Sequence, residues 1–167
     1  MNLQEALKKP LIFTGALTAA CALSGAIATT TKSSWYRALD KPFWQPPGAW
    51  FPLAWTALYT DLAVISAAII EDLEAGRSPR HADAYRRALV VNLLLNQSWS
   101  WVFFRTHKLL PATIVAGALT VSALDLSRRA HRVGTSKALA LVPYAAWCAF
   151  ATGLTAAIHR RNPQQPR

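Results

Sequence analysis

Four stretches of this chain, residues 11–31, 88–104, 109–124 and 138–158, contain no charged residue at all. A helix needs about 20 mainly apolar residues to cross the hydrocarbon core of a bilayer. A water-soluble domain of this size has no use for four such runs. A fifth apolar segment, about 50–70, is interrupted only by Asp61. The predicted spans are therefore 11–31, 50–70, 87–104, 109–127 and 137–158. Period-2 alternation is absent, and backbone in lipid must satisfy its own hydrogen bonds, so the spans read as helices. The expected fold class is an all-α membrane protein, a five transmembrane helix bundle forming one domain over residues 1–167. The chain would be an integral, multi-pass membrane protein with the lipid bilayer as its first partner.

Composition agrees. Hydrophobic residues make up 53% of the chain and charged residues 16%, against about 25% charged in an ordinary soluble domain. The net charge is +10, which in another setting would point to nucleic acid. Here the basic residues lie between the apolar runs, as in Arg128-Arg129-Ala130-His131-Arg132, and read as headgroup contacts, so no nucleic-acid partner is expected. Cys21 and Cys148 both sit in apolar runs, and without a Cys/His cluster neither a disulfide framework nor a metal site is expected. Lys8-Lys9, an apolar stretch and Ala26-Ile27-Ala28 also resemble a cleavable signal peptide. The run is long for one, however, and four more spans follow.

Residues 35–59 are neither helix-like nor a plain loop. They hold Trp35, Trp44, Trp50 and Trp55, four of the seven tryptophans, together with Pro42, Pro46, Pro47 and Pro52. Proline removes a backbone donor and breaks helix interiors. The stretch reads as an ordered Trp/Pro-rich loop between helices 1 and 2, with 32–49 a lid running into the second span. An aromatic belt at the membrane interface is the plainer alternative. Residues 162–167 read as a flexible tail.

Helical faces then locate a candidate site. Asn92, Asn96, Trp99 and Phe103 share one face of the third span. Amides mixed with large aromatics are odd for a lipid-facing stripe, and they read as cavity wall and interhelical bracing together. In the fifth span Tyr144, Trp147, Ala151 and Thr155 lie nearly opposite Ala145, Ala149, Gly153 and Ala157. The small-residue face is expected to pack on another helix, and the aromatic face to line a cavity. Trp55 and Tyr59 share a face of the second span. Asp61 points elsewhere and reads as a hydrogen-bonded structural carboxyl. Asp125 is expected to pair with Arg128 or Arg129.

Lipid tails are as apolar as leucine, so an oily ligand gains little by leaving them. Selectivity must come from shape, stacking and a few polar contacts, with aromatic pairs adding about 0.5–1.5 kcal/mol. That favours a flat conjugated ring. Arg37 and Lys41, near the lid, could meet carboxylates at its rim. His81, His107, His131 and His159 lie in loops or at span ends. No Ser-His-Asp set, Walker loop or HExxH pattern appears.

The run from Trp35 to Tyr59 resembles the signature of the translocator protein family, also called tryptophan-rich sensory proteins or peripheral benzodiazepine receptors. It fits the pattern WYxxLxKPxWxPPxxxFPxxWTxLY. Leu95-Asn96, Trp99 and Phe103-Phe104 fit LNxxWxxxFF, and Pro143-Tyr144, Trp147 and Phe150-Ala151 fit PYxxWxxFA. The resemblance implies a five-helix bundle in a bacterial cell membrane, a homodimer, and a pocket for tetrapyrroles. Protoporphyrin IX or haem would be a ligand, with no cofactor required. The candidate ligand contacts are Tyr36, Trp55, Asn96, Trp99, Phe103, Trp147 and Ala151, of which the resemblance implicates Trp55, Trp147 and Ala151. Three roles stay open. The chain could bind tetrapyrrole for transport, buffering or stress sensing. It could degrade protoporphyrin with light and oxygen, in which case Trp55 and Trp147 would carry the chemistry. It could be a membrane scaffold. The tyrosine of the animal sterol motif is missing between Leu154 and Arg160, and Asp61 replaces a small or sulfur-containing residue.

Overall fold

A computed structural model describes residues 3–163, so most of the tail expected at 162–167 lies outside the described residues. Every long element is a helix, and no strand occurs among the described residues. The order is α1 (Leu3–Ala28), α2 (Ser34–Ala38), α3 (Trp50–Ala75), α4 (Pro79–Phe104), α5 (Leu109–His131), α6 (Thr135–Ala140) and α7 (Val142–Arg161).

Among the described residues, four segments are long and apolar enough to cross a membrane: Lys9–Ala28, Trp50–Ala75, Leu109–His131 and Thr135–Arg161. Helix α4 is also 26 residues long. Its first turns carry Arg80, His81, Asp83, Arg86 and Arg87, and Asn92, Asn96 and Gln97 follow, so its composition keeps it out of that set. The segment predicted as a single span over 137–158 is two helices, with Leu141 between them and Pro143 in the first turn of α7. A proline there has no N–H to give to the preceding helix, so the ladder restarts.

Helix α5 lies between α4 and α7, while α1 packs on α3 and α4. The buried residues of α5 are Leu109, Ala112, Ala116, Leu119, Ala123, Leu126 and Ala130. They alternate steps of three and four, a heptad seam, and four of them are alanine, which lets neighbouring backbones come close. The opposite faces carry exposed Ile12, Leu23, Ile27, Leu53, Leu94, Ile114 and Val121. An apolar band of this kind suits hydrocarbon and not water.

The small-residue face of α7 behaves differently from the expectation. Ala145 is buried, but Ala149 and Gly153 are exposed, and a Cβ built on Gly153 would meet nothing within 4 Å. Within this chain α7 turns the adjacent face to α5, where the Thr120 and Thr152 hydroxyls are 2.9 Å apart. Asp125 pairs with Arg128 at 2.8 Å and with Arg129 at 2.5 Å, as its spacing implied. Asp61 differs from its expected role, because its Oδ2 is buried without a hydrogen-bond partner.

Candidate functional site

The segment between α1 and α3 is held in place at several points. Ser33 caps α2, its hydroxyl accepting from the Tyr36 N–H at 3.2 Å. Leu39, 5% exposed, sits in an apolar cluster with Phe103, Phe104, Leu109, Leu154 and Ile158. Asn162, just past α7, forms a reciprocal clasp: it accepts from the Asp40 N–H at 3.0 Å and donates to the Asp40 carbonyl at 2.9 Å. Trp35 stacks on His107 with ring centroids 4.1 Å apart. His107 has φ 60°, a left-handed turn residue that reverses the chain between α4 and α5.

Beneath this segment lies a cavity of about 390 Å³, walled by α1, α3, α4 and α7. Trp55 and Tyr59 enter from α3, and Asn96, Trp99 and Phe103 from α4; Tyr36 and Gln45 close it from the loop. On one side the lining residues Ala26, Thr29, Pro52 and Thr56 are exposed. The cavity therefore opens outward between the C-terminal end of α1 and the N-terminal end of α3. Gly25, Ala22 and Ala26 of α1 also line it and leave it room, since larger side chains there would fill the space.

The aromatic wall is continuous. Trp99 stacks on Phe103 at 5.7 Å, Phe103 meets Phe104 edge-on at 4.8 Å, and Tyr36 lies 5.6 Å from Phe104. Trp55 packs against Tyr59 at 5.4 Å and presents its ring edge-on to Trp147 at 6.3 Å. The Trp99 indole N–H donates to Thr155 Oγ1 at 3.3 Å, joining α4 to α7.

Five of the predicted ligand contacts, Tyr36, Trp55, Asn96, Trp99 and Phe103, line this one cavity. Trp147 and Ala151 do not. Trp147 stands one layer back, between Trp55, Phe51 and Phe150, with its indole N–H buried and unpartnered. Ala151 is buried, and its carbonyl accepts from the Thr155 hydroxyl at 2.7 Å. Sequence reasoning missed Gln45, Phe51 and the α1 contribution. The one available signal was the run of small residues on α1, which reads equally well as helix packing.

Among the described residues, none that lines the cavity carries a charge. Arg37 and Lys41 do not line it; Arg37 is exposed, and the Lys41 ammonium lies 4.6 Å over the Tyr36 ring and donates to the Leu39 carbonyl at 3.2 Å. Partial burial pulls the Lys41 ammonium below the usual lysine range, and burial raises the Tyr36 phenol. The described residues contain no group of three or more His, Cys, Asp or Glu arranged to hold a metal ion.

The site is braced from behind by polar contacts. Tyr59 donates to Asn96 Oδ1 at 2.7 Å, and Tyr144 donates to Asn92 Oδ1 at 2.5 Å. Asn92 Nδ2 in turn reaches Ser122 at 3.2 Å, and Gln97 Nε2 donates to the Cys21 carbonyl at 2.5 Å. These bonds tie α4 to α3, α7, α5 and α1. The arrangement is a fixed, uncharged, aromatic slot open to the side.

The model of the TspO/MBR family matches residues 13–161. The tryptophan-rich sensory protein of Cereibacter sphaeroides is 34% identical over 152 residues, which is 89% of this chain and 90% of that protein. Protein CrtK of Rhodobacter capsulatus is 33% identical over 145 residues, 86% of this chain and 89% of its own length. The human translocator protein is 29% identical over 132 residues, 77% of this chain and 75% of that protein.

Proposed function

This chain belongs to the TspO/MBR family of multi-pass integral membrane proteins, and from that premise we propose that it binds tetrapyrroles, such as protoporphyrin IX or haem, or similarly flat apolar ligands, in the cavity between α1, α3, α4 and α7. The purpose would be transport, buffering or stress sensing. The observation that carries this reading is that Trp55, Trp99, Phe103 and Tyr36, drawn from three separate segments, face a single uncharged space. At about 390 Å³ the space lies near the lower end of small-molecule sites, roughly 300–1,000 Å³. A large macrocycle therefore inserts one edge and leaves the rest in the opening toward the bilayer.

In the same reading α4 is the fifth span. Its residues 88–104 are free of charge, and it packs on α1, α3 and α5. The segment 32–49 serves as the lid, held by Leu39 and the Asn162 clasp. The protein works as a homodimer, a role for which the exposed Ala149 and Gly153 leave a close-approach surface.

Titration of the purified protein with protoporphyrin IX in the dark tests the binding role. The expected result is saturable quenching of tryptophan fluorescence, weakened at least severalfold in Trp55→Phe. Absence of saturable quenching would remove the binding reading and favour a scaffold. A second reading, light- and oxygen-dependent degradation of protoporphyrin, is favoured by the edge-on pair of Trp55 on the wall and Trp147 behind it. Illumination in air would then give a new absorbing product that disappears in Trp147→Phe. Porphyrin that stays unchanged under light would reject it.

A further inference from the structure

Asp61 is the one charged residue in the apolar run 50–70. It stands near the midpoint of α3, and so near the centre of the hydrocarbon. Ionisable side chains at that depth almost always turn into the bundle or a watery cavity and pair with a polar group. Asp61 does neither. The buried side of α3 is made by Leu62, Ala63, Ser66, Ala67, Ile69 and Ile70. Asp61 belongs instead to the outward stripe Trp50, Ala54, Ala57, Asp61, Val64 and Ala68, in which Trp50, Ala57 and Val64 are exposed and the others half-buried. It lines no part of the cavity described above. Its Oδ2 is closed off by the chain without a hydrogen-bond partner, and among the described residues no ion pair reaches it. Tyr85 of α4 is close enough to feel its charge, but the Tyr85 hydroxyl is taken up with Ser66 at 3.0 Å.

The stripe around Asp61 has the form of a helix-packing seam. Ala54, Ala57, Asp61, Val64 and Ala68 advance in alternating steps of three and four, as the buried seam of α5 does. The alanines let another backbone come close, and a single polar residue in such a seam fixes the register of the pair. A second copy of this chain suits the seam poorly. Copies inserted in the same orientation and packed here about a twofold axis set Asp61 against Asp61 at one depth, where like charges repel. Nor do residues 11–31, 88–104, 109–124 and 138–158 of a copy hold a cation to offer. We propose that this face of α3 docks a transmembrane helix of another protein, one that carries a lysine or arginine at mid-depth among small residues. The cation of that helix donates to the Asp61 carboxylate, which supplies the pairing this chain lacks. The proposal does not involve the cavity or its ligand, and it leaves Ala149 and Gly153 of α7 to the second copy.

Synthetic membrane-spanning peptides test it. Three leucine–alanine helices that differ only in the central residue, lysine, leucine or glutamate, would carry a fluorescent donor. Each is mixed in phosphatidylcholine vesicles with the acceptor-labelled full chain, and association is read as energy transfer. The lysine peptide is expected to associate about tenfold more tightly than the leucine peptide, and the glutamate peptide no better than the leucine one. Asp61→Leu should make the lysine and leucine peptides equal. Asp61→Asn, whose amide oxygen still accepts a hydrogen bond, should keep part of the preference. Ala57→Leu should weaken the lysine peptide severalfold, because it fills the seam without touching the charge. Equal association of the lysine and leucine peptides with the native chain overturns the proposal. So does a lysine preference that survives Asp61→Leu, or a glutamate peptide that matches the lysine one. The remaining occupant is tested by Asp61→Cys in a chain with Cys21 and Cys148 replaced by alanine. A disulfide between two copies at position 61 in native membranes would show that a second copy covers this face, and would overturn the proposal as well.

Discussion

Tyr144 is fully buried in α7, and its hydroxyl donates to Asn92 of α4 at 2.5 Å. Between membrane helices such bonds are worth about 0.6 kcal/mol on average and up to about 1.7. Tyr144→Phe strands Asn92 Oδ1 in a dry interior, so a loss of about 1 kcal/mol is expected. It would be read as a lower unfolding midpoint of the detergent-solubilised protein, and an unchanged midpoint would mean that this bond does not brace the bundle. The inward face of α4 was legible, because Asn92, Asn96, Trp99 and Phe103 recur at helical spacing. Their partners were not. Tyr59, Tyr144 and Ser122 lie on other helices, and no local pattern says which hydroxyl an amide will meet. Asp61 shows the same limit: its offset from Tyr59 could be read, but not the unpartnered state of its Oδ2.

At the scale of elements, the turn from α3 to α4 closes in a Schellman arrangement. The Ser78 N–H donates to the Leu73 carbonyl at 2.9 Å and the Arg77 N–H to the Glu74 carbonyl at 3.1 Å. Arg77 occupies the left-handed position with φ 53°, where glycine is the usual residue. Arg77→Gly is expected to stabilise the protein by about 1 kcal/mol, measurable as a higher unfolding midpoint; a lower midpoint would show that the arginine makes compensating contacts. The loop clasp gives a second prediction. Asn162→Ala removes both bonds to Asp40, so amide exchange across residues 40–49 should quicken while that in α5 stays slow. Equal exchange in both proteins would show that Leu39 and the Trp35–His107 stack hold the loop without it. The helices run past the predicted spans in a consistent way. Helix α3 continues through Glu71, Asp72 and Glu74, and α4 already begins at Pro79. A hydropathy reading stops at the first charges, whereas helical backbone continues past the hydrocarbon. There Arg86 and Glu74 meet at 2.5 Å, and Lys137 pairs with Asp72.

For the molecule as a whole, five crossings would put the two termini on opposite sides of the membrane. Reporter fusions at each end should therefore report from opposite compartments; reporters on the same side would exclude α4 as a span. Crosslinking in native membranes should trap a pair of chains if the protein is a dimer, and a bulky Gly153→Leu should lower its yield if the exposed face of α7 is where the copies meet. A strictly monomeric pattern would remove the dimer.

Charge-free runs of sufficient length committed this chain to helices in a bilayer, because peptide groups in hydrocarbon must bond within their own segment. The ordered motifs around Trp35–Tyr59, Leu95–Phe104 and Pro143–Ala151 were enough to identify the family. Packing alone settled which rings reach the cavity. Trp55 faces it and Trp147 stands behind, although both lie on faces that read as wall. How α4 and α7 turn follows from how the alanine seam of α5 seats them. Whether a polar atom such as Asn92 Oδ1 finds a partner depends on those seatings together. Both are relations between distant segments, and a helical face carries no record of what will stand opposite it.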